Sequence, residues 1–205
     1  MREDIKVGGN FPDYRFPDQD GREQTLSELQ GRNPMVLHLS RGGFDPKERR
    51  FVSHLVDAHV DFKLAYTALV VITTDDQLNM AEFRDGVGAS FPFLSDPKRR
   101  LQRELDIQEY TDPVHDPMIP HTFILAAGLR IENIYNGYWY WGRPTVDELH
   151  RDLREVMRAN RPDFDLATPG LRQSWEDGDT GRFLVEPVEG SAIRYTEGDD
   201  VGVKR

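Results

Sequence analysis

The sequence predicts an α/β fold with a mixed central sheet and helices on both of its faces. The first observation is that Pro34-Met35-Val36-Leu37-His38-Leu39 and Ala68-Leu69-Val70-Val71-Ile72-Thr73 are nearly continuous apolar runs of strand length. Strands that alternate apolar and polar residues are half-buried, whereas continuous runs mark strands covered on both sides. The second is that segments with apolar residues at helical spacing lie between these runs. Alternation of strands and helices implies a partly parallel sheet.

The elements follow in order. Tyr14-Arg15-Phe16, between the turn signals Phe11-Pro12-Asp13 and Asp18-Gln19-Asp20-Gly21, reads as a short strand. Thr25, with Glu28 three residues on, reads as a capping box for one short helical turn that ends at Gly31. After the strand that ends near Leu39, Ser40-Arg41-Gly42-Gly43-Phe44 is a glycine-hinged loop. Asp45-Pro46-Lys47-Glu48 then starts a helix, with Asp as N-cap, Pro at the first position and Glu at the third. Phe51, Leu55, Ala58 and Phe62 continue it at helical spacing. Beyond the strand 68–73, a helix is expected over about Gln77–Asp85, an extended piece over Phe91–Leu94 and a short helix over Arg100–Ile107. Thr122–Leu125 and Arg130–Tyr135 read as a hairpin around Gly128, and Val146–Ala159 as the last strong helix. Residues 1–160 form the expected domain; residues 161–205, rich in Asp, Glu, Gly and Pro, read as a partly irregular extension.

Composition excludes several classes of function. The chain has 205 residues, of which 36 are acidic and 26 basic, and its formal charge is -10. An acidic chain lacks the basic stripe that a non-specific nucleic-acid binder needs, and it is not drawn to anionic membranes. It contains no cysteine, so it holds no disulfide, thiolate metal site or cysteine nucleophile. No apolar run reaches the length of a membrane-spanning helix, and Met1-Arg2-Glu3-Asp4 is not followed by the apolar core of a secretory signal, so a cytoplasmic protein is expected.

The element order and several motifs resemble the alkyl hydroperoxide reductase and thiol-specific antioxidant (AhpC/TSA) family, the peroxiredoxins. The motifs are Val7-Gly8, Phe11-Pro12-Asp13, Asp20-Gly21-Arg22 and Leu26–Gly31 at the start, and Arg41-Gly42-Gly43-Phe44-Asp45-Pro46 in the glycine-hinged loop. Later come Phe91–Pro97 and Ile119-Pro120-His121-Thr122-Phe123-Ile124-Leu125. The resemblance covers roughly residues 5–158 and implies a thioredoxin-like fold of peroxiredoxin type. It also implies a family role in thiol-dependent reduction of hydroperoxides, with a peroxide-like small molecule as substrate, no cofactor, and a homo-oligomer, a dimer, as the assembly. Asp45 stands where the family carries the cysteine that attacks peroxide. His38 and Gly42 stand at the Pro and Thr positions of its commoner Pro-x-x-x-Thr-x-x-Cys pattern. Arg41 is the surviving active-site cation, and Gly43, Phe44, Pro46 and Pro120 are expected pocket residues, Pro120 as the cis-proline that faces the loop.

A helix N-terminus and an arginine hold a thiolate in such a frame, and they would hold an aspartate as a permanent carboxylate. Such a carboxylate is a poor general base at neutral pH and cannot reduce a peroxide. The plain reading of Asp45 is a helix N-cap; the functional reading is a charged group at the floor of a retained pocket, and both can hold. The chain therefore reads as a redox-inactive relative or an inactivated variant.

Two rival readings come from other residues. Pro120 would place His121 near Asp45 and allow a carboxylate–histidine pair or a metal site. His38 and His54 near Asp45, or His115, Asp116 and His121 in the proline-rich loop, would serve as further ligands, although no spacing matches a metal signature. Tyr138-Trp139-Tyr140-Trp141, followed by Arg143, reads either as a loop packed over the last helix or as a binding or dimer surface, with Trp139, Trp141 and Arg143 as its contacts.

Overall fold

The computed structural model describes residues 1–160 and 167–179. Its elements in chain order are β1 (Arg15–Pro17), β2 (Glu23–Thr25), α1 (Leu26–Gln30), β3 (Met35–Ser40), α2 (Pro46–Leu64), β4 (Ala68–Thr73) and α3 (Gln77–Val87). There follow β5 (Phe93–Ser95), α4 (Arg100–Glu104), β6 (His121–Ala126), β7 (Arg130–Asn136), α5 (Val146–Asn160) and α6 (Leu171–Glu176).

The main sheet has the order β5-β4-β3-β6-β7. β3, β4 and β5 run parallel; β6 lies antiparallel to β3, and β7 antiparallel to β6. Every residue of β3, β4 and β6 is buried, which is why the sequence shows continuous apolar runs there. One face of the sheet packs Val36, Val71 and Ile124 against Phe51 and Leu55 of α2, Phe83 of α3 and Leu149 and Leu153 of α5. The other face packs Leu37, Leu39, Phe123 and Leu125 against Leu26 and Leu29 of α1, Leu101 of α4 and Phe16 of β1. Helices on both faces of a mixed sheet are the predicted architecture.

Several local expectations change. The single strand expected at 14–16 is half of a two-stranded ribbon, β1–β2. Its turn is organised by the buried Asp18, whose carboxylate accepts from the backbone N–H of Asp20 and Arg22 and from the Gln24 side chain. The polar Glu23-Gln24-Thr25 strand carries no apolar signal that could have announced it. Thr25 precedes α1 without a side-chain cap; Asp13 takes that role, accepting from the backbone N–H and hydroxyl of Ser27. A true capping box opens α5, where Thr145 and Glu148 bond reciprocally. β5 begins at Phe93 and not at Phe91, because Pro92 has no N–H for the ladder. The helix expected to reach Ile107 stops at Glu104, and Asp106 beyond it adopts a left-handed conformation. Of the expected extension over 161–205, residues 161–166 and 180–205 lie outside the described residues; the intervening stretch forms α6, which buries Leu171.

Candidate functional site

β3 delivers the chain to the Arg41–Phe44 loop at its C-terminal end, and α2 leaves from that loop. Gly42 has φ +127°, and a Cβ there would lie 2.7 Å from Asp75 Oδ1; one at Gly43 would lie 2.7 Å from the Cβ of Phe83. The loop therefore needs both glycines to pass between these groups. Asp75 accepts from the backbone N–H of Gly43 at 2.7 Å and from the Thr73 hydroxyl at 2.9 Å. Arg49 Nε donates to the Gly43 carbonyl, and the Thr74 hydroxyl to that of Arg41.

Asp45 is the N-cap of α2 and is 5% exposed. Its Oδ1 accepts from the backbone N–H of Lys47 at 2.8 Å, and its Oδ2 from Arg41 Nη1 at 2.8 Å. The expected N-cap is thus formed by one oxygen, while the other meets the arginine. Pro46 occupies the first turn, where a missing N–H costs nothing.

Arg41 gathers two further carboxylates from the loop between α4 and β6. Asp112 Oδ2 accepts from Nη2 at 3.4 Å. Glu109 Oε2 lies 2.9 Å from Nε as an ion pair, bent too far for a hydrogen bond. The same loop lays the His115 ring flat on Phe44, centroids 3.8 Å apart and planes 4° apart. His115 also bonds Asp112, whose carboxyl is held below its usual range first by the His115 backbone N–H and then by the His115 side chain. Arg99 pins this strap through the carbonyls of His115 and Asp116. The sequence offered His115 and Asp116 of this strap as metal ligands, but not Glu109 and Asp112 as partners of Arg41: no periodicity marks them, and they lie more than sixty positions from it.

Beneath Asp45 lies a second unexpected arrangement. Glu48 does not return to its own helix start; it turns inward, with its Oε2 2.8 Å from His38 Nε2. Its Oε1 accepts from Arg143 Nε at 2.8 Å and, more closely still, from Arg143 Nη2. His38 Nδ1 meets the Thr122 hydroxyl at 3.0 Å, and His38 and Glu48 are wholly buried. Burial alone would push the Glu48 carboxyl up; the charge and hydrogen bond of His38, with the charge of Arg143, overcome it and bring it down to about 2.

Other expected site residues are dispersed. His121 shares a sheet face with Phe123 and Leu39, opposite the face that carries α2, and its Nδ1 donates to the Ile119 carbonyl at 2.8 Å. Among the described residues no hydrogen bond or ion pair joins it to Asp45: side chains along β6 alternate faces, and His121 lies on the face opposite α2. Burial pushes the His121 imidazole down to about 4. Pro120 follows a trans peptide bond, so the expected cis-proline is not formed. His115 pairs with Asp112 and Asp116 with Arg99, and among the described residues no three His, Asp or Glu side chains are gathered to hold a metal. Trp139 and Trp141 stand in solvent, so neither packs over the last helix, whereas Tyr140 is half-buried; Arg143 leaves them for Glu48 and is not available to stack on them.

Among the described residues no helix is long and apolar enough to cross a membrane. The model of the AhpC/TSA family matches residues 7–134. A Mycobacterium tuberculosis protein named as a peroxiredoxin is 31% identical over 97 residues, 47% of this chain and 61% of the relative. The chloroplastic peroxiredoxin Q of Oryza sativa subsp. japonica is 28% identical over 132 residues, 64% of this chain and 59% of the relative. The chain thus spans about three-fifths of the length of these relatives. The crystal structure of peroxidoxin BcpB from M. tuberculosis superposes with a TM-score of 0.64 at 21% identity, over 76% of this chain and 97% of that one. Enterococcus faecalis AhpC superposes with a TM-score of 0.64 at 12% identity, over 80% of this chain and 98% of that one. With more than half of its length matched by the family model and its sheet superposing on these structures, the chain belongs to the AhpC/TSA family and has its thioredoxin-like, peroxiredoxin-type fold.

Proposed function

We propose that this chain is a redox-inactive member of the peroxiredoxin family, in which a fixed carboxylate occupies the place of the reactive sulfur. The single observation that carries this reading is the bonding of Asp45, with one oxygen on the Lys47 N–H and the other on Arg41. Reduction of a hydroperoxide by the family's route needs a sulfur that attacks the terminal oxygen, breaks the O–O bond and becomes a sulfenate. A carboxylate has no such oxidation ladder, and the sequence contains no cysteine to substitute for it. Arg41, the cation that would face a small anionic or peroxide-like ligand, is instead neutralised from within by Asp45, Glu109 and Asp112.

The test is hydroperoxide consumption in the presence of a dithiol. The unaltered chain is expected to consume none above the blank, and measurable turnover would overturn the redox-inactive reading. Asp45→Cys is expected to acquire consumption, because the helix N-terminus and Arg41 would favour a thiolate there. A folded Asp45→Cys protein without any gain would show that the peroxidase pocket is not retained.

A further inference from the structure

A second concavity lies away from Arg41, between the outer face of α2 and the segment that leads into α5. It is an open groove of about 570 Å³, within the size range of small-molecule sites. Asp57 and Asp61, one turn apart on α2, line one side together with His54, and Tyr140 and Trp141 line the other. Among the described residues neither aspartate side chain has an ion-pair or hydrogen-bond partner. Arg143, whose side chain is 3% exposed, also lines the groove. Its Nε and Nη2 are engaged by Glu48, but its buried Nη1 has no acceptor.

These groups ask for complementary chemistry. Two unpaired carboxylates beside an exposed indole face suit an organic cation, which gains from both the ring and the charges. The orphaned donor of Arg143 asks for an oxygen, since a buried polar group without a partner is costly. We propose that this groove binds a basic amino acid, with its cationic side chain between Trp141 and the Asp57–Asp61 pair and its carboxylate on Arg143 Nη1. The groove lies apart from the Arg41–Asp45 pair; α2 connects the two, carrying Glu48 inward at one end and the two aspartates outward further along.

Calorimetric titration of the full chain tests this. L-arginine is expected to bind saturably at millimolar concentration or below. Agmatine, which is arginine without its carboxylate, is expected to bind about tenfold more weakly, the worth of one charge-assisted hydrogen bond. L-glutamate is expected not to bind. Asp57→Asn combined with Asp61→Asn is expected to weaken arginine by about tenfold or more, and Trp141→Ala likewise, while Trp139→Ala outside the groove leaves it unchanged. Both aspartates and Trp141 are exposed, so these variants keep the fold. Absence of saturable arginine binding, or unchanged affinity in the double variant, would overturn the site. Equal binding of agmatine would overturn the amino-acid assignment. A fall in molar mass on Trp141→Ala would give the groove to a second copy of the chain and overturn the proposal.

Discussion

Glu48 and His38 face each other at 2.8 Å with neither side chain exposed, and Arg143 closes the same carboxylate from its other oxygen. Breaking such a set by removing one member leaves an uncompensated buried charge, which costs about 3–5 kcal/mol. Glu48→Gln is therefore expected to lower the urea midpoint by an amount of that size, without a change in the slope of the transition. A volume-conserving apolar triple replacement of His38, Glu48 and Arg143 is expected to cost much less, because no charge is then stranded.

The same carboxylate sets a limb of the acid-unfolding curve. Its folded value of about 2 lies below the ordinary 4.5, so the unfolded chain binds the proton more readily between these values. The stability it contributes is complete above about pH 4.5 and lost as pH falls toward 2. In Glu48→Gln that limb is expected to flatten, measured as the pH dependence of the unfolding free energy.

His121 acts at higher pH. Its folded value of about 4 against the ordinary 6.5 means that protonation favours unfolding between the two. Stability is full above about pH 6.5 and declines as pH falls to about 4, by ~3 kcal/mol if the whole gap is realised. His121→Leu is expected to lose part of its stability at pH 7, with the Ile119 carbonyl left without its donor, but to show a shallower decline from pH 6.5 to 4 than the unaltered chain. An identical slope in both proteins would place the acid sensitivity elsewhere.

β3 and β4 announce themselves because burial on both faces leaves no polar alternation, and the start of α2 does so because Asp45-Pro46 is a local signal. Glu48 misleads because a glutamate at the third helical position is the usual partner of a capping box, and only the tertiary packing that brings His38 and Arg143 to it decides otherwise. His121 misleads for a different reason: alternation along β6 tells that it shares a face with Phe123, but not which face carries α2. The two further partners of Arg41, Glu109 and Asp112, come from the irregular strap, where neither period nor propensity marks a contact.

Asp45 can be dissected by two substitutions. Asp45→Ala removes both the Lys47 cap and the partner of Arg41 and is expected to cost about 1–2 kcal/mol. Asp45→Asn retains a capping oxygen while removing the charge, and is expected to cost clearly less, since asparagine caps nearly as well as aspartate. Equal losses would mean that the ion pair with Arg41, not the cap, carries the contribution. Thermal or urea unfolding of both variants side by side decides it.

The loop before Asp45 should be equally sensitive to added volume. Gly42→Ala meets two penalties at once: φ +127° is a conformation that side chains rarely adopt, and the new Cβ falls 2.7 Å from Asp75 Oδ1. Asp75 cannot retreat freely, because it holds the Gly43 N–H and the Thr73 hydroxyl, so the backbone must move and draw Arg41 away from Asp45. A loss of about 1–3 kcal/mol is expected, the usual cost of a strained backbone position. Asp75→Ala in the Gly42→Ala background would open the space but strand the Gly43 N–H, so the double variant is expected to be no more stable than the single one. A recovered midpoint in the double variant would show that the clash, and not the dihedral angle, dominates.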